Sequence, residues 1–103
     1  MYNTTAEPLD IGGMWLDDIA GNATAPVQIP AGTIIQPGGY YIMEFNSYLN
    51  NSGDTARFLS ADQATVFDSK SYASSVNDKS KCRTSNGSGW YAGNCTATKN
   101  AAN

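Results

Sequence analysis

LNNSGDTARFLSADQATVFDSKSY, residues 49–72, is the stretch whose reading decides the fold. Residues 55–60 alternate, with Ala56 and Phe58 on one face and Arg57 and Leu59 on the other. That is the period-two pattern of a half-buried strand. Residues 61–64 (Ala-Asp-Gln-Ala) form a tight connection, and residues 65–72 return antiparallel around an apolar centre of Val66 and Phe67. One β-hairpin is predicted. The same stretch holds three acids, Asp54, Asp62 and Asp68, with Arg57 among them, which are the residue types of a hydrolytic or metal centre. Each acid also has a structural task. Asp54 follows Ser-Gly at a strand start, where an Asp side chain accepts backbone N–H groups and fixes a turn. Asp62 sits at the hairpin tip. Asp68 lies inside the returning strand and needs a partner if buried, with Arg83 and Arg57 as the candidates. Glycosidase chemistry needs two carboxylates about 5 to 10 Å apart across a cleft, whereas these acids are spread over ~50 Å of extended chain. No catalytic residue is expected, and the chain is not expected to be an enzyme.

Outside the hairpin, no long segment carries apolar residues at helical spacing. Short apolar runs recur between Gly, Pro, Asn and Asp, the pattern of an all-β sandwich or barrel. Residues 14–19 are predicted as a strand, and 26–30, bracketed by Pro26 and Pro30, as an edge strand, since Pro cannot donate to a ladder. Pro37-Gly38-Gly39 makes a turn, followed by the strongest predicted strand, residues 40–45. A polar loop then leads from Tyr72 to a last strand around residues 89–93, and residues 97–103 form a frayed tail. Residues 1–103 are expected to make a single domain.

At 103 residues the chain is long enough for one core. Charged residues are 15% and the net charge is -3, poor equipment for a phosphate backbone, so no nucleic acid is expected. No run of about 18 apolar residues could cross a bilayer. The first ten residues lack the basic start and apolar run of a signal peptide, so Met1 is expected to lie inside a longer protein. Without histidine, the usual nucleophilic triads and a structural zinc lack their ligands. Cys82 and Cys95 either pair, closing a loop of about 14 residues, or remain as two buried thiols. Sequons at Asn3, Asn22, Asn50, Asn86 and Asn94 are all expected in loops or strand ends that tolerate a glycan. Both features favour a secreted or cell-surface setting.

No cofactor is expected. Calcium is the nearest rival, because Asp17, Asp18, Asn22 and residues 50–54 offer oxygen ligands. Adjacent aromatics at 40–41 and 90–91 must point to opposite faces of a strand. Tyr41 and Tyr91 are therefore candidate exposed contacts, with Trp15 and Trp90 structural.

Four segments in order, MYNTTAEPLDIGGMWLDD, IPAGTIIQPGGYYIM, the hairpin stretch, and CRTSNGSGW with CTATKNAAN, resemble the lamin tail domain. The likeness is closest to its bacterial and archaeal versions and covers residues 2–103. Within it, Leu9–Gly13 with Trp15, Ile29–Gly32 with Pro37–Tyr40, and Asn51–Thr55 with Asp68 and Tyr72 fall on the family's motifs. So do Arg83, Gly87, Trp90 and the closing Ala101-Ala102-Asn103. Three departures stand out: Gln63-Ala64 replaces Gly after the tip Asp, Ala97-Thr98-Lys99 replaces Thr-Pro-Gly, and the family's first strand has no counterpart. The resemblance implies an immunoglobulin-like β-sandwich of about seven short, mostly antiparallel strands. It further implies structural roles for Asp54, Asp68 and Arg83, and an adhesion, anchoring or interaction role with a protein or surface polymer. The missing first strand would leave an unpaired sheet edge, through which a homodimer could form. The alternative is a carbohydrate-binding or calcium-dependent accessory domain of an extracellular hydrolase.

Overall fold

The computed structural model describes residues 1–19, 24–45, 48–99 and 101–102. Those residues contain no helix, and the fold is all-β, with two antiparallel sheets as a β-sandwich requires. Six strands follow in chain order: β1 (Leu9–Asp10), β2 (Trp15–Asp17), β3 (Val27–Gln28), β4 (Ile34–Ile35), β5 (Asp54–Leu59) and β6 (Val66–Tyr72). This is one fewer than expected. β1 pairs with β4, and the larger sheet has the order β3-β2-β5-β6. The chain divides into two compact units: Met1–Leu9, Ile34–Glu44 and Ser75–Asn103 form one, and Asp10–Thr33 and Phe45–Ser74 form the other.

In the second unit the hairpin forms as its alternation predicts. β5 and β6 pair antiparallel from Asp54↔Tyr72 to Phe58↔Asp68. The register then shifts, so that Leu59 faces Val66 and Phe67 is the extra residue of a β-bulge. At the tip, Ser60 N donates to Thr65 O and Gln63 N donates to Ser60 O, each at 2.9 Å. Gln63 adopts φ +62°, a left-handed value reached without glycine. Where the strand begins, Gly53 has φ +130°, and a Cβ there would lie 3.1 Å from the Tyr72 carbonyl oxygen.

β2 lies on the other edge of β5, with Trp15↔Leu59, Leu16↔Phe58 and Asp17↔Arg57 opposite each other. β3 completes that side at the sheet edge, where the two prolines place it. Ile11, Ile29 and Leu59 are buried. Ile11 N donates to Thr33 O and Gly13 N to Ile29 O, each at 2.9 Å. Gly12 permits this approach, since a Cβ there would stand 2.7 Å from Gly32 N. Val66 and Phe67, expected as an apolar centre, are instead 48% and 54% exposed. Among the described residues β6 is the outermost strand of its sheet, where the Phe67 ring meets Phe58 of β5 at 5.6 Å.

The first unit departs further from expectation. Residues 40–45 do not form a strand; Tyr40 makes only an isolated bridge to Tyr2. Backbone bonds from Met1 and Asn3 reach Gly38, Gly39 and Tyr41 but no further along this segment, and strand propensity without a ladder yields extended chain. Residues 89–93 likewise contribute a single bridge, Arg83↔Trp90, with Ser80↔Cys95 close by, in place of a strand. Gly89 and Gly93, which offer no side chain to pack, flank this weak ladder.

Candidate functional site

The carboxylates divide among separate structural contexts. Asp17 and Arg57 are cross-strand neighbours and form an ion pair, Arg57 Nη2 donating to Asp17 Oδ2. Arg57 Nε also donates to the Asp18 backbone oxygen at 2.7 Å. Arg57 is therefore committed to β2. Asp18 is 1% exposed, and its Oδ1 is buried without a hydrogen-bond partner. Tyr48 donates from its hydroxyl to Ala25 O at 2.7 Å. Burial and then the charges of Asp17 and Asp18 push its phenol pKa up.

Asp54 closes the turn before β5. Its Oδ2 accepts from Asn50 N at 3.0 Å and Asn50 Nδ2 at 3.1 Å, and its Oδ1 accepts from Thr55 N at 2.8 Å. The backbone bonds from Asn50 and Thr55 hold its carboxyl below the ordinary carboxylate range. Asp62 holds the hairpin tip by accepting from Ser60 Oγ at 2.5 Å and Ala64 N at 2.9 Å, which lowers its pKa too. Asp68 is exposed on β6, where its Oδ1 accepts from Ser69 N at 2.9 Å. Among the described residues, no three His, Cys, Asp or Glu side chains form a group that could hold a metal ion. Asn22, one of the oxygen donors considered for calcium, lies outside the described residues.

In the first unit the cysteines lie with Arg83, Trp90 and Tyr91. Cys82 and Cys95 form a disulfide, with their Cα atoms 6.4 Å apart. Backbone bonds brace it on both sides: Ser80 N donates to Cys95 O at 2.9 Å, and Tyr91 N donates to Cys82 O at 2.8 Å. Arg83 lies with its guanidinium 4.2 Å from the centroid of the Trp90 ring, a cation–π contact, and donates to Ser88 O at 2.9 Å. Trp90 and Tyr91 are both exposed, so neither of this pair enters a core. An open cavity of about 420 Å³ lies against the disulfide, lined also by Arg83, Thr84, Tyr91, Thr96 and Thr98. Tyr41, the other candidate contact, is half-buried, as is Tyr40, whose ring meets Tyr2 at 5.1 Å. Trp15 is half-buried on β2 and ties it to the hairpin tip by donating from its indole to Ala61 O at 3.0 Å. In the basic segment, Lys81 donates to Asn94 Oδ1 at 2.6 Å while Arg83 covers Trp90.

One sequon contradicts its expected setting. Asn3 is 1% exposed, and its Nδ2, the atom a glycan would occupy, donates to Glu7 O and Ile35 O at 2.8 Å each. Asn22 is not among the described residues, and Asn50, Asn86 and Asn94 are exposed or half-buried. The buried Asn3 and the Asp17–Arg57 pair are the polar features sequence reasoning missed. An Asn in a sequon reads as surface, and a cross-strand pair depends on a register between β2 and β5 that spans 40 residues. Comparison with family models, curated proteins and solved structures finds no match to this chain.

Proposed function

We propose that this chain is a non-enzymatic interaction or anchoring module of a secreted or cell-surface protein, an immunoglobulin-like domain similar to lamin tail domains. The observation that carries the reading is β6: a seven-residue strand at the end of its sheet, with Val66 and Phe67 exposed on it. An edge strand of this kind presents backbone donors and acceptors together with apolar side chains, which is how sheets recruit extended segments of other proteins. The Cys82–Cys95 disulfide fits an oxidising compartment. Protein or a surface polymer is the expected partner.

The Tyr91 cavity favours a second reading, a carbohydrate-binding accessory domain. An exposed ring beside three threonines and Arg83 offers a stacking face with polar residues near it, as a sugar site requires. One experiment separates the two readings. The oxidised chain is titrated on immobilised surface proteins and on a glycan array, with Phe67→Lys and Tyr91→Ala in parallel and calcium present or chelated. Protein binding that falls with Phe67→Lys and survives Tyr91→Ala supports the proposal. Sugar binding abolished by Tyr91→Ala transfers the assignment to the second reading, and binding to neither class removes both.

A further inference from the structure

We infer that β6 pairs edge to edge with the β6 of a second copy of this chain, antiparallel and centred on Ser69. The inference rests on the reading of β6 as a contact surface and names the occupant of its open edge. β6 reads Val66-Phe67-Asp68-Ser69-Lys70-Ser71-Tyr72, and among the described residues it is hydrogen-bonded to a strand only along its β5 edge. A two-fold axis through Ser69 places Asp68 of each copy opposite Lys70 of the other. Two cross-strand ion pairs arise from one register, with Val66 facing Tyr72 and Phe67 facing Ser71 beyond them. Directly opposite side chains of unlike charge favour a strand pair, and like charges oppose it.

Across the β5–β6 ladder the residues directly opposite these two charges are uncharged. Asp68 lies opposite Phe58 and Lys70 opposite Ala56. Both belong to the regular part of the ladder, before the shift at Phe67, and therefore project on one face. At the centre of the register, Ser69 N is covered by the Asp68 carboxylate in the isolated chain. Pairing exchanges that bond for the Ser69 carbonyl of the second copy while Asp68 turns to the opposing Lys70. The same carboxylate thus shields the edge when the chain is alone and selects the register when it is not. One shifted by a single residue would bring Ser69 opposite Lys70 and lose both ion pairs. A seven-residue edge makes a small interface, so the association is weak, with Kd between roughly 10 µM and 1 mM.

Sedimentation equilibrium of the oxidised chain tests this, comparing the parent with Asp68→Lys, Lys70→Asp and the double exchange. All substitutions fall on a solvent-facing strand, and circular dichroism checks that each variant is folded. The parent dimerises with rising concentration, either single reversal weakens dimerisation about tenfold or more by opposing like charges, and the double exchange restores it. A monomeric parent up to about 1 mM, a dimer indifferent to the single reversals, or a double exchange that fails to recover overturns the inference. The parent reading fails separately: Phe67-dependent binding of a foreign protein by a strictly monomeric chain would leave the interaction module standing and remove self-pairing.

Discussion

Four hydrogen bonds end on the Asn3 side chain: its amide serves Glu7 O and Ile35 O, and its Oδ1 receives Thr5 N and Thr5 Oγ1. Replacement by Ala removes all four and leaves the Ile35 carbonyl short of a donor in a buried setting. Asn3→Ala is expected to cost about 2–4 kcal/mol, read as a lower urea midpoint at unchanged slope. An unglycosylated Asn3 on peptide mapping of secreted material is the companion result. Asp54, like Asp62, contributes to the molecule's acid sensitivity. Its folded pKa is lowered by Asn50 and Thr55, so the stability it contributes is complete above the unfolded value near ~3.9 and fades as pH falls through the folded value. The melting temperature should drop as pH is lowered from about 5 to about 2, and Asp54→Asn should flatten that limb.

The hairpin is the element the sequence makes plainest, and its tip is where it can be tuned. Gln63 holds φ +62°, a conformation that costs a residue with a Cβ ~1 kcal/mol or more. Gln63→Gly removes that cost while adding freedom to the unfolded chain, for a net gain of up to about 1 kcal/mol, and Gln63→Val should destabilise. Thermal melts of the two variants should move in opposite directions. Alternation over residues 55–60 revealed β5, because period two is a local property of the chain. The edge position of β3 was equally legible in its two prolines. Residues 40–45 misled for the same reason that made β5 clear: Tyr, Ile and Phe announce strand propensity, but a strand needs a neighbour, and neighbours are not local. Val66 and Phe67 marked the returning strand correctly, but their exposure was not legible, because an apolar residue is not thereby a buried one. For the cysteines, their even number and a spacing that fits no zinc pattern favoured the disulfide over two thiols, and the Cys82–Cys95 bond bears that out.

For the whole molecule, the disulfide is the one covalent restraint beyond the backbone among the described residues. Closing a loop of about 14 residues, it should contribute on the order of 3 kcal/mol in the chain-entropy model. Unfolding with and without a thiol reductant measures this, and a reduced chain as stable as the oxidised one would contradict it. The two compact units are threaded through each other along the chain: Asp10–Thr33 and Phe45–Ser74 are interleaved with Met1–Leu9, Ile34–Glu44 and Ser75–Asn103. This has a consequence for biosynthesis. A ribosome releases residues in order, and segments fold once their contacts are available. The hairpin unit possesses all of its residues as soon as Ser74 has left the exit tunnel, whereas the other must hold its opening segments in waiting until the Cys82–Cys95 region arrives. Thiol oxidation then follows completion of the hairpin, and a nascent chain stalled near Ser74 would carry a finished hairpin while the other unit still lacked its closing segment.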